Sequence, residues 1–80
     1  MEFNVVSAVA REDYTLDLTF EDGKRGRFDM TPYLERRPWA PIRPLPRFLM
    51  ASAIDGTVTW PGNIDMAPEI LYENSLTINR

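Results

Sequence analysis

"YTLDLTFEDGKRGRFDM", residues 14–30, is the stretch on which the fold turns. Tyr14, Leu16, Leu18 and Phe20 alternate with Thr15, Asp17 and Thr19, the period of a strand with one face buried and one in water. After the turn "EDGK", the segment "GRFDM" runs back as a partner strand. A two-residue Asp22-Gly23 loop is the common hairpin signal. That loop sets Phe20 opposite Arg25 and Leu18 opposite Arg27, and leaves Phe28 on the wrong face. A three-residue loop of Glu21, Asp22 and Gly23 shifts the pairing by one and moves every partner side chain to the other face. Leu16 then meets Phe28, Tyr14 meets Met30, and Asp17 faces Arg27 on the solvent side. Gly23 takes the left-handed position of a type I turn with a bulge, where glycine is preferred. The three-residue loop is therefore the expected register.

Outward from this hairpin, "NVVSAVA" (residues 4–10) is rich in valine and alanine and is expected to be a strand covered on both faces or nearly so. "MTPYLERRP" (30–38) predicts a short helix with Thr31 as cap, Pro32 at the first helical position and Pro38 as its stop. "WAPIRPLPR" (39–47) carries four prolines counting Pro38, which excludes a central strand or a long helix. It is expected to be a stiff connector laid over the sheet by Trp39, Ile42 and Leu45. "FLMASAIDGTVTW" (48–60) predicts a second hairpin around Asp55-Gly56, with the register open because both faces of "FLMASAI" are largely apolar. From about Ala67 to Glu73 a second short helix is expected, with Pro68 in its first turn and Asp65 placed to cap it. "NSLTINR" (74–80) reads as a plain end. The expected class is α+β: one small antiparallel sheet of about five strands (two hairpins plus an N-terminal strand), two short helices and a proline-rich connector, all in a single domain over residues 1–80.

Eighty residues bury only roughly 60% of the unfolded surface, so the core leaves a few kcal/mol of net stability. No cysteine and no histidine is present, which removes thiolate chemistry, the usual zinc ligands and every nucleophile activated by imidazole. The first residues lack the basic start and apolar run of a signal peptide, and no stretch reaches the ~20 apolar residues of a membrane span. With the absent cysteines, this gives a cytoplasmic expectation with no membrane contact. The formal charge of −3 offers no general attraction to nucleic acid or anionic lipid.

The order of these features resembles a small bacterial family catalogued as domain of unknown function 2442. The resemblance covers nearly the whole chain. Its most specific parts are Asp13-Tyr14, the Asp22-Gly23 turn, Phe28-Asp29 with Pro32-Tyr33-Leu34, and Trp60-Pro61 running to Asp65, Pro68, Glu69, Leu71 and Tyr72. The family usually reads Asn-Gly after Trp-Pro, whereas this chain reads Gly62-Asn63; Pro61-Gly62 still suits the centre of a type II turn. The resemblance implies short helices on an antiparallel sheet. It also implies contexts in which relatives are fused to a helix-turn-helix domain or encoded beside small partner proteins, as in toxin–antitoxin pairs. It implies no reaction and no cofactor.

Three constellations carry candidate chemistry. Asp65 and Glu69, four apart and joined by Asp29, could hold Mg²⁺ or Ca²⁺ or perform acid–base work in a small ligand-binding protein or hydrolase. Their spacing matches no calcium loop, no glycine-rich phosphate cradle exists, and the plainer reading makes Asp65 a cap and Glu69 a complement to the helix dipole. Trp60, Pro61, Gly62, Asp65, Pro68, Glu69 and Tyr72 then form a structural corner, with Trp60 and Tyr72 as core aromatics. Arg36, Arg37, Arg43 and Arg47 place four of nine positive charges within one short segment and, with Tyr33 and Trp39, mark a candidate interaction surface. A local basic patch on an acidic domain suits a protein partner or a second copy of the chain better than direct nucleic-acid binding. The expectation is a non-enzymatic interaction or regulatory module, antitoxin-like or accessory to a small partner protein, without metal or cofactor.

Overall fold

In the computed structural model, which describes residues 3–78, the first hairpin sets the frame. Strands β2 (Thr15–Phe20) and β3 (Arg25–Asp29) pair antiparallel with Leu16 opposite Phe28 and Asp17 opposite Arg27. The Phe20 amide donates to the Lys24 carbonyl at 2.8 Å and the Gly23 amide to the Phe20 carbonyl at 2.9 Å, with Gly23 at φ +93°. This is the three-residue loop the sequence predicts. It succeeds because Leu16, Leu18, Phe20 and Phe28 all reach the same buried face, and the alternative register would have sent Phe28 into water.

Strand β1 (Val5–Ala10) pairs with β2 at the sheet edge, with a register shift between Val5 and Ser7. Only Val5 is buried, and Val6 and Val9 are each 57% exposed. The expected coverage on both faces is thus overturned, because Val6 and Val9 stand largely in solvent. Strand β7 (Leu76–Thr77) adds to β3 at Gly26 and Arg27, giving the order β1-β2-β3-β7. Within the segment read as a plain end, Leu76 and Thr77 therefore form a sheet strand, and residues 79 and 80 lie outside the described residues. Gly26 permits it, since a Cβ there would lie 2.5 Å from the Ser75 hydroxyl.

A second sheet has the order β4-β5-β6, from β4 (Ser52–Ile54), β5 (Thr57–Trp60) and β6 (Ile64–Met66). Asp55 and Gly56, both at positive φ, close the β4–β5 hairpin with Ala53 opposite Val58. The α+β class, the antiparallel pairing and the two hairpins stand, with the strands divided between sheets of four and three. The inner faces of both sheets meet in one core that includes Phe20, Phe28, Phe48, Val58, Trp60 and Met66.

Helix α1 (Leu45–Phe48) takes Phe48 out of the second hairpin and buries it completely. Helix α2 (Pro68–Asn74) buries Leu71 and carries Pro68 and Glu69 in its first turn. Its cap position is Ala67 with no side-chain hydrogen bond, so Asp65 is not the cap. Asp65 instead sits on β6 opposite Thr59 with its side chain exposed, because Ile64 and Met66 on either side turn inward. Near Pro32 the chain makes a 3₁₀ turn, Thr31–Tyr33, with Thr31 inside it. The cap position is Met30, which has no side-chain cap bond, and Asp29 just before it accepts the Thr31 amide on Oδ1 at 2.9 Å. No described helix is long and apolar enough to cross a membrane.

Candidate functional site

The proline-rich segment uses its remaining backbone donors in its own turns, such as Ala40 to Arg36 and Ile42 to Trp39, and side chains hold it to the rest of the fold. Ile42, in the 3₁₀ turn Ala40–Ile42, is 1% exposed and anchors it in the core. The Trp39 indole Nε1 donates to the Asp65 carbonyl at 2.9 Å, which ties the segment to β6. The Tyr14 hydroxyl donates to the Arg43 carbonyl at 2.7 Å, and the Tyr14 ring packs on Phe48 at 5.0 Å. Tyr14 does this from φ +67°, a left-handed backbone that is uncommon for an aromatic residue. The connector expected from Trp39, Ile42 and Leu45 is confirmed, with Tyr14 as a clamp that sequence periodicity could not single out.

Fixed in this way, the connector and the turn after β5 enclose an open cleft of about 1030 Å³. Pro38, Pro41, Ile42, Met50 and Ile64 supply apolar lining, and Arg37 and Arg47 border it. The turn brings Pro61, Gly62 and Asn63 to the cleft, with Gly62 at φ +96°, Asn63 at φ +62°, and Trp60 pairing with Ile64. Glycine and asparagine are the residues that adopt such angles most readily, so the Gly62-Asn63 order still turns the chain.

The six residues of the expected interaction surface divide by their contacts. Tyr33 packs between Phe28 and Trp39 at ring distances of 5.4 and 5.6 Å, and the Arg36 guanidinium lies 5.5 Å from its ring centre. Arg43 reaches Glu35 at 3.8 Å. Arg37 and Arg47 are exposed, and among the described residues neither side chain has an ion pair, hydrogen bond or ring contact. On the first sheet the pattern is the reverse. Asp17 accepts from Arg27 at 2.7 Å and from Arg11 at 3.2 Å, and its carboxyl is held below the usual range, first by the Arg27 hydrogen bond.

The expected corner resolves into two separate places. Trp60 is buried, stacks on Phe48 at 6.2 Å and donates from Nε1 to the Phe48 carbonyl at 3.0 Å. Tyr72 belongs with the first hairpin: its ring meets Phe20 edge-on at 4.8 Å, and the Lys24 ammonium sits 4.1 Å from its centre. Lys24 also donates to the Tyr72 carbonyl at 2.7 Å. The Tyr72 hydroxyl donates to Asp22 at 2.5 Å, which lowers the Asp22 pKa and raises that of Tyr72. Pro61 and Gly62 border the cleft, whereas Pro68 and Glu69 open α2.

Asp29, Asp65 and Glu69 are used apart, on the Thr31 amide, on the outer face of β6 and on the first turn of α2. Among the described residues no group of three or more acidic side chains is placed to hold a metal ion. The sequence reading missed Met50, Asn63 and Ile64 as cleft residues. Asn63 carried a signal, since asparagine after glycine in a turn tolerates positive φ. Met50 carried none.

The family model described as "Protein of unknown function (DUF2442)" matches residues 5–77, and the chain belongs to that family. No curated protein and no solved structure matches it.

Proposed function

We propose that this member of the family is a non-enzymatic interaction module, which engages a protein partner through the face formed by the proline connector and the turn after β5. One observation carries the reading. Arg37 and Arg47 both border an open, largely apolar cleft, and neither meets a counter-charge among the described residues. An apolar surface with polar groups at its margin is the anatomy of a protein contact site. The connector is held from three sides, by Ile42 in the core, by Trp39 on β6 and by Tyr14 on Arg43, so the face is formed before any partner arrives. The composition, free of cysteine, supports a cytoplasmic setting.

Photo-crosslinking in the native cells tests this. A benzophenone amino acid replaces Met50, which is 57% exposed in the cleft, or Glu73, which is exposed at the end of α2. A discrete protein adduct forms from position 50 and not from position 73. Adducts from neither position, or equally from both, would contradict the reading.

A further inference from the structure

We infer that the cleft between the proline connector and the Pro61–Ile64 turn takes an extended acidic segment of a partner protein, seating its apolar side chains in the cleft and its carboxylates on Arg37 and Arg47. This rests on the interaction-module reading and names the chemistry of what the module holds. Ile42 and Ile64 are buried at the cleft, whereas Met50 is 57% exposed beside them. Methionine is a flexible side chain that adapts to irregular apolar partners. Arg37 and Arg47 supply guanidinium groups, whose planar forks match carboxylates in bidentate geometry. The remaining arginines described, 11, 25, 27, 36 and 43, all have contacts within the chain, so the two described arginines whose side chains have none both stand at this cleft.

The whole-molecule charge narrows the occupant further. At −3 the chain offers no general attraction to a second copy of itself or to a strand of phosphates beyond the reach of the two arginines. A short segment places its carboxylates at the cleft and keeps the rest of its partner away from the acidic surface. Among the described lining residues no aromatic ring offers a base a stacking platform, which disfavours single-stranded nucleic acid. Pro38, Pro41 and Pro61 have no amide hydrogen, so the cleft walls lack the row of donors that adding a strand would use. Recognition therefore falls to side chains, apolar and ionic together.

The test uses the full chain with three fluorescein-labelled peptides that alternate leucine with glutamate, serine or lysine, and with a labelled oligothymidine. Anisotropy is read at roughly 0.15 M salt, where long-range attraction is screened. The glutamate peptide binds, weakens as salt rises, and loses at least about tenfold in affinity in the Arg37→Glu/Arg47→Glu variant. Its binding shifts the amide resonances of Ala40, Ile42, Met50, Gly62 and Asn63. Both arginine side chains are exposed, and thermal melting confirms that the variant is folded. Equal binding of the serine peptide, indifference to charge reversal, or resonance shifts elsewhere would overturn the inference. Preference for oligothymidine would make the cleft a nucleic-acid site, and a concentration-dependent mass with the same resonance shifts would make the occupant a second copy; either also overturns it. A partner crosslinked at position 50 alongside a glutamate peptide that fails to bind would leave the module and remove only the acidic segment.

Discussion

The outer face of the first sheet and the margin of the connector cleft use arginine in opposite ways. On the sheet, Asp17 on β2 holds Arg27 from the neighbouring strand and Arg11 from the preceding turn. At the cleft, Arg37 and Arg47 border apolar surface without a carboxylate among the described residues. The same contrast holds in the packing. The first hairpin aligns Leu16, Leu18, Phe20 and Phe28 on one buried face, while the connector sends Ile42 inward and leaves Pro38 and Pro41 outside. Changes in the hairpin and core should therefore register as lost stability, and changes at the cleft margin as lost binding.

The largest effect belongs to Phe48, where the two regions meet. Its ring is fully buried between those of Tyr14 and Trp60. Phe48→Ala should cost about 3–5 kcal/mol, comparable with the entire stability of a domain this small. Urea unfolding checks it, and a cost near zero would show that the connector does not share the sheets' core.

Next comes Gly26→Ala, whose Cβ would lie 2.5 Å from the Ser75 hydroxyl oxygen. The expected loss is about 1–3 kcal/mol, with faster hydrogen exchange at Ile78, whose amide donates to the Arg25 carbonyl. The Ser75 hydroxyl is buried without a partner. Ser75→Ala should therefore be neutral or stabilising, and should recover part of the Gly26→Ala loss.

Smaller effects follow from titration at the first hairpin. The Asp17 pKa is depressed below 3.8, first by its hydrogen bond from Arg27, so its contribution is present above that value and disappears as pH falls through the depressed pKa. Tyr72 runs in the opposite sense. Its pKa is raised above 10.0, chiefly by its hydrogen bond to Asp22, so its contribution is present below 10.0 and disappears as pH rises through the raised pKa. Melting curves of Asp17→Asn should lose part of the acid slope, and those of Tyr72→Phe part of the alkaline slope. Unchanged slopes would mean that these hairpin contacts do not contribute to stability.

The smallest effect is expected at Asp65. Its carboxylate is exposed on β6 and caps no helix, so Asp65→Ala should change stability by less than about 0.5 kcal/mol. A loss of about 1 kcal/mol, the cost typical of a removed cap, would restore the capping role that its sequence neighbourhood suggests.

These contrasts also explain what the sequence disclosed. The first hairpin was legible because apolar and charged residues alternate, so only one register both buries Phe28 and pairs Asp17 with Arg27. The prolines made the connector legible by what they exclude. Strand β1 was misread because its valines have high strand propensity wherever they sit, and edge position depends on which strands arrive beside it. Strand β7 is two residues long and pairs across most of the chain, so no local pattern announces it. For Asp65, the alternation of Ile64 and Met66 about it outweighed a cap-like spacing ahead of Pro68. The four arginines were visible as a cluster, but which of them found contacts depended on Tyr33, Glu35 and the turn at Pro61 coming together in space.

The most direct test of this division of labour places stability and binding in one sample. The Arg37→Glu/Arg47→Glu variant should melt at the wild-type temperature while its anisotropy response to the glutamate–leucine peptide disappears. A variant that melts well below wild type yet binds the peptide undiminished would show that these arginines hold the fold and leave the cleft without a cationic role.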